Sequence, residues 1–102
     1  MRQSRRVWMK DTHVSVHRAT SVVNQRGLHA RAAAFIARVA GQFEAEVTIA
    51  TTAGQVSALS IMGMLMLGAS TGTEIQFNAQ GSDAKDAVDA LVHLFESGFE
   101  EE

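Results

Sequence analysis

The spacing of apolar residues changes several times along the chain, and the order of those changes most constrains the fold. From Val14 to Val22 every second position is valine, threonine or arginine, a pattern typical of a strand. Residues 46–52, 55–60 and 74–79 alternate in a similar way, the last with Ile75 and Phe77 pointing inward. The pair Ala53-Gly54 predicts a tight turn between the second and third of these strands.

Two longer stretches have the spacing of an amphipathic helix. The first begins near His29 or Ala30 and is expected to end at Gly41. Its apolar stripe comprises Phe35, Ile36, Val39, Ala40 and Phe43. The second is expected to be capped by Ser82 or Asp83 and to end at Gly98. Its predicted buried face comprises Ala84, Ala87, Val88, Leu91, Leu94 and Phe95. Residues 61–67 predict a short helix or an irregular turn.

The resulting order is strand, helix, strand, strand, short helix, strand, helix. It predicts an α+β fold with two layers, in which helices gather on one face of an antiparallel sheet. A length of 102 residues favours one domain, which we assign to residues 13–102. Residues 1–12 show neither the strand nor the helix periodicity of apolar residues, and they are predicted to be a mobile N-terminal extension.

Composition excludes several classes of function. A formal net charge of −2 gives no support to nucleic-acid binding, and the lack of cysteine excludes disulfides and thiolate chemistry. The apolar run 61–69 is too short to span a bilayer, and no secretory signal is recognisable, so we expect a cytoplasmic protein. His13 and His17 have no third ligand nearby, so no metal site or cofactor is predicted.

The run Gly27-Leu28-His29-Ala30-Arg31-Ala32-Ala33 is the strongest functional signal. It puts a histidine where a glycine-led turn meets the start of a helix, with an arginine two positions later. The first amides of a helix lack intrahelical acceptors, so the backbone of Ala30 and Arg31 is suited to hold an anion. A guanidinium grips phosphate oxygens with two donors, and neutral imidazole is a nucleophile. The run therefore indicates transient binding of a phosphoryl group.

This run resembles the phosphorylation site of the HPr family, the histidine phosphocarriers of the phosphoenolpyruvate-dependent phosphotransferase system. A second stretch, Leu59-Ser60-Ile61-Met62-Gly63-Met64-Leu65, is similar to the family's regulatory serine segment and follows at the family's spacing. The resemblance covers roughly residues 16–98. It implies an open-faced sandwich in which three helices cover one face of a four-stranded antiparallel sheet.

The resemblance also implies roles for single residues. His29 accepts a phosphoryl group on Nδ1 from phospho-Enzyme I and passes it to a IIA-type protein, while Arg31 stabilises the phosphate. Ser60 is the counterpart of the serine modified by the family's kinase. The chain would then be a carrier, not a stand-alone enzyme. Most members have proline where this chain has Ala32, which leaves open a sugar-uptake or a regulatory, nitrogen-related branch.

The chain is also expected to have a surface beside His29 that binds its partner proteins. The resemblance favours docking of both partners through the two helices that flank His29, and a carrier that docks in turn is expected to be a monomer. The residues assigned to this surface are Ala34, Phe35, Arg38, Ile61, Met62 and Leu65. Ile61, Met62 and Leu65 are expected to form an exposed apolar patch. Two alternatives stay open. Phosphorylation at His29 or Ser60 could control binding to target proteins, or His29 could simply cap its helix in a small binding module.

Overall fold

The computed structural model describes residues 14–100, which form four strands and three α-helices. The strands are β1 (Ser15–Ser21), β2 (Glu46–Thr51), β3 (Gly54–Ser57) and β4 (Glu74–Gln80). The helices are α1 (Ala30–Ala40), α2 (Ile61–Leu67) and α3 (Ala84–Glu96), and a 3₁₀ turn follows at Gly98–Glu100. The predicted extension of residues 1–12 lies outside the described residues. None of the helices in residues 14–100 has the length and hydrophobicity of a transmembrane segment.

The strands form one antiparallel sheet in the order β1-β4-β2-β3. In this register Val16 lies opposite Ala79, and Ile49 lies opposite Phe77, so inward-facing positions of neighbouring strands line up. The three helices cover one face of the sheet, and the other face is exposed to solvent. The predicted two-layer α+β fold is confirmed.

The core lies between the sheet and the helices. Ile49, Ile75 and Phe77 are buried on the covered face of β2 and β4. Phe77 meets Phe95 of α3 edge to face, with ring centroids 5.4 Å apart, and Phe95 meets Phe99 in the same way at 4.8 Å. Such aromatic pairs add to the stability gained from burial alone. The final 3₁₀ turn is thus bound to the core through the ring of Phe99.

Strand β3 is shorter than predicted, whereas helix α1 ends as predicted and differs only in its apolar stripe. Strand β3 ends at Ser57, because the Ser57 hydroxyl accepts the Leu59 amide and the Ser60 amide turns back to the Ser57 carbonyl. Helix α1 ends at Ala40 with Gly41 as its C-cap, so Phe43 lies beyond it. The buried side of α1 also differs from the predicted stripe, since small residues allow its close packing. It consists of Ala32, Ala33, Ile36 and Ala40.

The predicted start of α3 needs a correction. Asp83 occupies the N-cap position, yet its carboxylate makes no hydrogen bond to its own helix. It accepts the amides of Glu44 and Ala45 at 2.9 and 2.8 Å. The carboxylate therefore ties the start of α3 to the segment before β2. On the buried face of the helix the prediction is confirmed except at Leu94, which is only half-buried.

Candidate functional site

The turn before α1 is bound to a second loop that lies far away in sequence. Gly27 is buried with φ of +70°, and a Cβ atom there would lie 2.6 Å from the Ala69 carbonyl oxygen. The next amide, that of Leu28, donates to the same oxygen at 2.9 Å. Only glycine combines this left-handed conformation with so close an approach. The turn is thereby held against the chain that follows α2.

Asn24 and Thr71 brace this turn, and sequence reasoning missed both. The buried Asn24 side chain donates through Nδ2 to the Gly27 carbonyl at 2.9 Å. The Thr71 hydroxyl donates to the Asn24 carbonyl at 2.7 Å, across a separation of 47 residues. The turn itself was predicted from its residue types. No local signal pointed to Thr71, because its partner is distant along the chain.

His29 is the N-cap residue of α1. Its backbone is extended, and Nδ1 accepts the Arg31 amide at 3.2 Å while its carbonyl accepts the Ala33 amide at 2.9 Å. A nitrogen that accepts this hydrogen bond carries no proton, so the neutral imidazole is protonated on Nε2. The half-buried ring thus directs the Nδ1 lone pair to the positive end of the helix dipole. Both predicted roles of His29, phosphoryl acceptor and helix cap, are compatible with this geometry.

The first turn of α1 combines exposed and buried residues. Ala30 and Arg31 are exposed, whereas Ala32 is fully buried at the position where the resemblance expects proline. The Arg31 guanidinium carbon lies 5.9 Å from the centroid of the Phe35 ring, and that of Arg38 lies 5.6 Å from it. The arginine that the sequence assigns to phosphate binding therefore contacts an aromatic ring one helical turn away.

An open cleft of about 840 Å³ adjoins this end of α1. Its basic lining comes from Arg26 and Arg31, and its acidic lining from Glu96 and Glu100 in the C-terminal segment. The ring of Phe35 forms part of its wall. The Arg31 guanidinium accordingly has open space beside it.

Ser60 is the N-cap residue of α2. Its hydroxyl accepts the Gly63 amide at 2.9 Å, and its carbonyl accepts the Met64 amide at 3.0 Å. Gly63 suits this cap sterically, because a Cβ atom there would lie 2.8 Å from the Ser60 hydroxyl and 3.1 Å from the Val56 side chain. The hydroxyl therefore has a structural role at the helix start, whatever further role it has.

The predicted partner surface is only partly as expected. Arg38 is exposed, as are Ile61 and Met62, the latter with 69% of its surface accessible. Ala34, Phe35 and Leu65 are half-buried, which corrects the expectation that Leu65 is exposed. Leu59 and Met66, which the sequence did not assign to this surface, are also exposed, with 60% and 80% of their surface accessible. Their position beside the predicted residues on α2 could have suggested them.

The remaining histidines lie apart from this site. His17 is exposed on the uncovered face of β1, opposite Asn78 of β4, and His13 lies outside the described residues. His93 is exposed on α3 and does not border the buried stripe. Residues 14–100 contain no group of three side chains that could hold a metal ion.

Comparison with known proteins identifies the family. The family model described as "PTS HPr component phosphorylation site" matches residues 16–97. The phosphocarrier protein HPr of Cupriavidus necator is 40% identical over 84% of this chain and 97% of its own length. The phosphocarrier protein NPr of Proteus mirabilis is 38% identical over 84% of this chain and 97% of its own length. Both kinds of phosphocarrier are thus similar to this chain at nearly equal identity.

Solved structures agree with the sequence relatives. The crystal structure of HPr from Thermoanaerobacter tengcongensis superimposes with a TM-score of 0.81 at 38% identity, over 85% of this chain and 98% of that one. The Bacillus anthracis HPr structure gives a TM-score of 0.77 at 35% identity, over 81% of this chain and 99% of that one. Together with the histidine at the start of α1, these matches show that the chain is a phosphocarrier protein of the HPr family.

Proposed function

We propose that His29 is the phosphoryl acceptor of this carrier, loaded by phospho-Enzyme I and unloaded by a IIA-type protein in the cytoplasm. One observation carries the proposal, namely the hydrogen bond from the Arg31 amide to His29 Nδ1 at 3.2 Å. It keeps the nucleophilic nitrogen unprotonated and directed toward the helix N-terminus. A phosphoryl group bound to that nitrogen is then surrounded by donors that have no acceptor within the helix.

The transfer adds an anionic phosphoryl group to the imidazole and leaves its proton count unchanged. The Nδ1 lone pair attacks phosphorus, and an N–P bond forms while the N–P bond of the donor phosphohistidine breaks. The proton stays on Nε2. The Arg31 amide loses Nδ1 as its acceptor and turns to a phosphoryl oxygen, so an existing donor is reused with little reorganisation. The second transfer, to the IIA-type protein, runs the same steps in reverse.

The strength of this site suits a carrier. Hydrogen bonds to a charged group contribute about 1.5–3 kcal/mol each, and less where water competes. His29 is only half-buried, so water competes for the phosphoryl oxygens, and the phosphoryl group is stabilised yet remains transferable. We infer that the chain is a substrate of its partner enzymes and not a stand-alone catalyst.

The exposed apolar side chains of α2 are the proposed docking surface for both partners. Ile61, Met62 and Met66 are exposed on α2, which packs against α1, the helix that His29 caps. Arg38 adds a positive charge at the rim. Methionine side chains adapt to differently shaped partners, as a carrier with two partners requires. Docking in turn favours a monomeric carrier.

A second proposed role is regulation at Ser60. The specific observation is its position as the N-cap of α2, directly before the exposed Ile61 and Met62. A phosphate there would benefit from the helix N-terminus and would bring negative charge into the docking surface. Modification by an HPr kinase would in this way weaken docking without altering His29.

Intact mass after incubation with phosphoenolpyruvate and a cognate Enzyme I tests the primary proposal. We expect the wild type to gain one phosphate that is labile in acid and stable in alkali. His29→Ala should gain none, whereas His17→Ala, which removes an exposed histidine of β1, should gain it like the wild type. Full labelling of His29→Ala would refute the assignment and favour the binding-module alternative.

A further inference from the structure

The ring of Phe35 lies between two cationic side chains. Arg31 precedes it by one helical turn and Arg38 follows it by another, so all three share one face of α1. Both guanidinium carbons lie within 6 Å of the ring centroid, at 5.9 and 5.6 Å. That distance is the range in which a ring attracts a cation. Among the described residues, neither arginine forms an ion pair, so the ring is the main partner seen for each.

This arrangement holds Arg31 weakly. A cation–π contact at an exposed site contributes a free energy equivalent to a factor of about two to five in an equilibrium constant. The second guanidinium on the same ring repels the first, which weakens the hold further. A phosphoryl group offers two charge-assisted hydrogen bonds, which are stronger than this contact. The cleft beside Arg31 and Phe35 gives the guanidinium room to move.

We propose that Phe35 is a positioning residue that holds the Arg31 guanidinium while the carrier is unphosphorylated. When His29 receives the phosphoryl group, Arg31 leaves the ring for the phosphoryl oxygens, and Arg38 keeps the ring. The contact with Phe35 stabilises only the unphosphorylated form, so it lowers the carrier's affinity for the phosphoryl group and eases its release. This inference rests on the proposed function of His29.

The equilibrium constant for phosphoryl exchange with phospho-Enzyme I separates this role from docking. Docking residues change how fast the equilibrium is reached, whereas the constant depends only on the free energies of the separate proteins. We expect Phe35→Leu to raise the constant toward the phosphorylated carrier about two- to fivefold. Phe35→Trp should lower it, because tryptophan binds cations best. Loss of stability alone does not predict opposite shifts for these two variants.

Two controls make the test specific. In an Arg31→Ala background, Phe35→Leu should leave the constant unchanged, because the guanidinium that the ring holds is gone. Phe43→Leu shortens another half-buried phenylalanine just beyond α1 and should also leave it unchanged. Nuclear magnetic resonance of the unphosphorylated protein gives an independent measure. The Arg31 side-chain protons should show a ring-current shift that Phe35→Leu removes and Phe43→Leu retains.

The outcomes distinguish this inference from the function on which it rests. Opposite shifts for leucine and tryptophan, abolished by Arg31→Ala, would support it. A constant that is unchanged or lowered in Phe35→Leu, or an Arg31 signal without a ring-current shift, would overturn it while leaving His29 as the acceptor. A wild type that takes no phosphoryl group from active phospho-Enzyme I would overturn both.

Discussion

Gly27 is the residue at which backbone geometry most directly determines the position of His29. Alanine there would need a left-handed backbone, at a cost of about 1–2 kcal/mol. It would also push a Cβ atom against the Ala69 carbonyl oxygen at 2.6 Å. We expect Gly27→Ala to reduce the free energy of unfolding by about 2–4 kcal/mol in total, as measured by chemical denaturation. Displacement of the turn should also slow the phosphorylation of His29.

Gly68 is a matched control for that substitution. Its φ is +63°, close to that of Gly27, but a Cβ atom added there meets nothing within 4 Å. Gly68→Ala should therefore cost only the conformational term of about 1–2 kcal/mol. Equal losses in the two variants would contradict the argument, because the contact with Ala69 would then contribute nothing.

At the same scale, the position of His29 at the start of α1 was predictable and the support of the turn before it was not. The type and spacing of His29 and Arg31 indicated a phosphoryl site, since a helix cap involves neighbours within one turn. Asn24 supports the turn locally, through Gly27 three positions away, but Thr71 acts across 47 positions, and no local pattern reports such a pairing.

Helix α2 depends on its cap more than a long helix does, because it has few hydrogen bonds of its own. Ser60→Ala removes the acceptor of the Gly63 amide and should lower the free energy of unfolding by about 0.5–2 kcal/mol. If Ser60 is also the regulatory site, an HPr kinase supplied with ATP should label the wild type and fail to label Ser60→Ala.

Ser57→Ala is the control for both measurements. The Ser57 hydroxyl accepts the Leu59 amide in the preceding turn and caps no helix. Ser57→Ala should be labelled by the kinase like the wild type, and it should lose less stability than Ser60→Ala. Equal labelling of Ser60→Ala and wild type would contradict regulation at Ser60, while a loss of stability would still establish the cap.

The start of α3 shows why a helix is easier to predict than the hydrogen bonds that join it to other segments. An aspartate before an apolar stripe predicts an N-cap because its side chain usually accepts amides of its own first turn. In this structure the Asp83 carboxylate instead accepts the amides of Glu44 and Ala45, which lie 39 and 38 residues away. The helix forms where it was predicted, but its cap residue stabilises the joint between α3 and β2.

At the scale of the molecule, an ion pair between Arg18 and Asp89 ties the edge strand β1 to the helical layer. The Arg18 guanidinium on β1 lies 3.0 Å from a carboxylate oxygen of Asp89 on α3, and Lys85 lies 2.9 Å from the other oxygen. Hydrogen bonds from Lys85 and Arg18 lower the pKa of Asp89 below its ordinary value. A lowered folded-state pKa contributes stability above the unfolded-state value of about 4, and this is lost as the pH falls through the folded-state pKa.

We therefore expect Asp89→Asn to have a lower Tm than the wild type at pH 7. The difference should shrink as the pH falls below about 4, and it should also shrink in high salt, because exposed charges are screened. Thermal unfolding of both proteins between pH 2 and pH 7 measures this. A Tm difference that stays constant over that range would show that the carboxylate charge is not the cause.

The sequence by itself determined the elements, their order and the position of His29 at the start of α1, because strand alternation, helix stripes and helix caps arise from residues close together in the chain. The tertiary structure alone decided the strand order β1-β4-β2-β3, the support of Gly27 by the loop after α2, and the attachment of Asp83. It also decided that Phe95 of α3 packs against Phe77 of β4. These features depend on contacts between distant segments, which form only when burial brings the sheet and helices together.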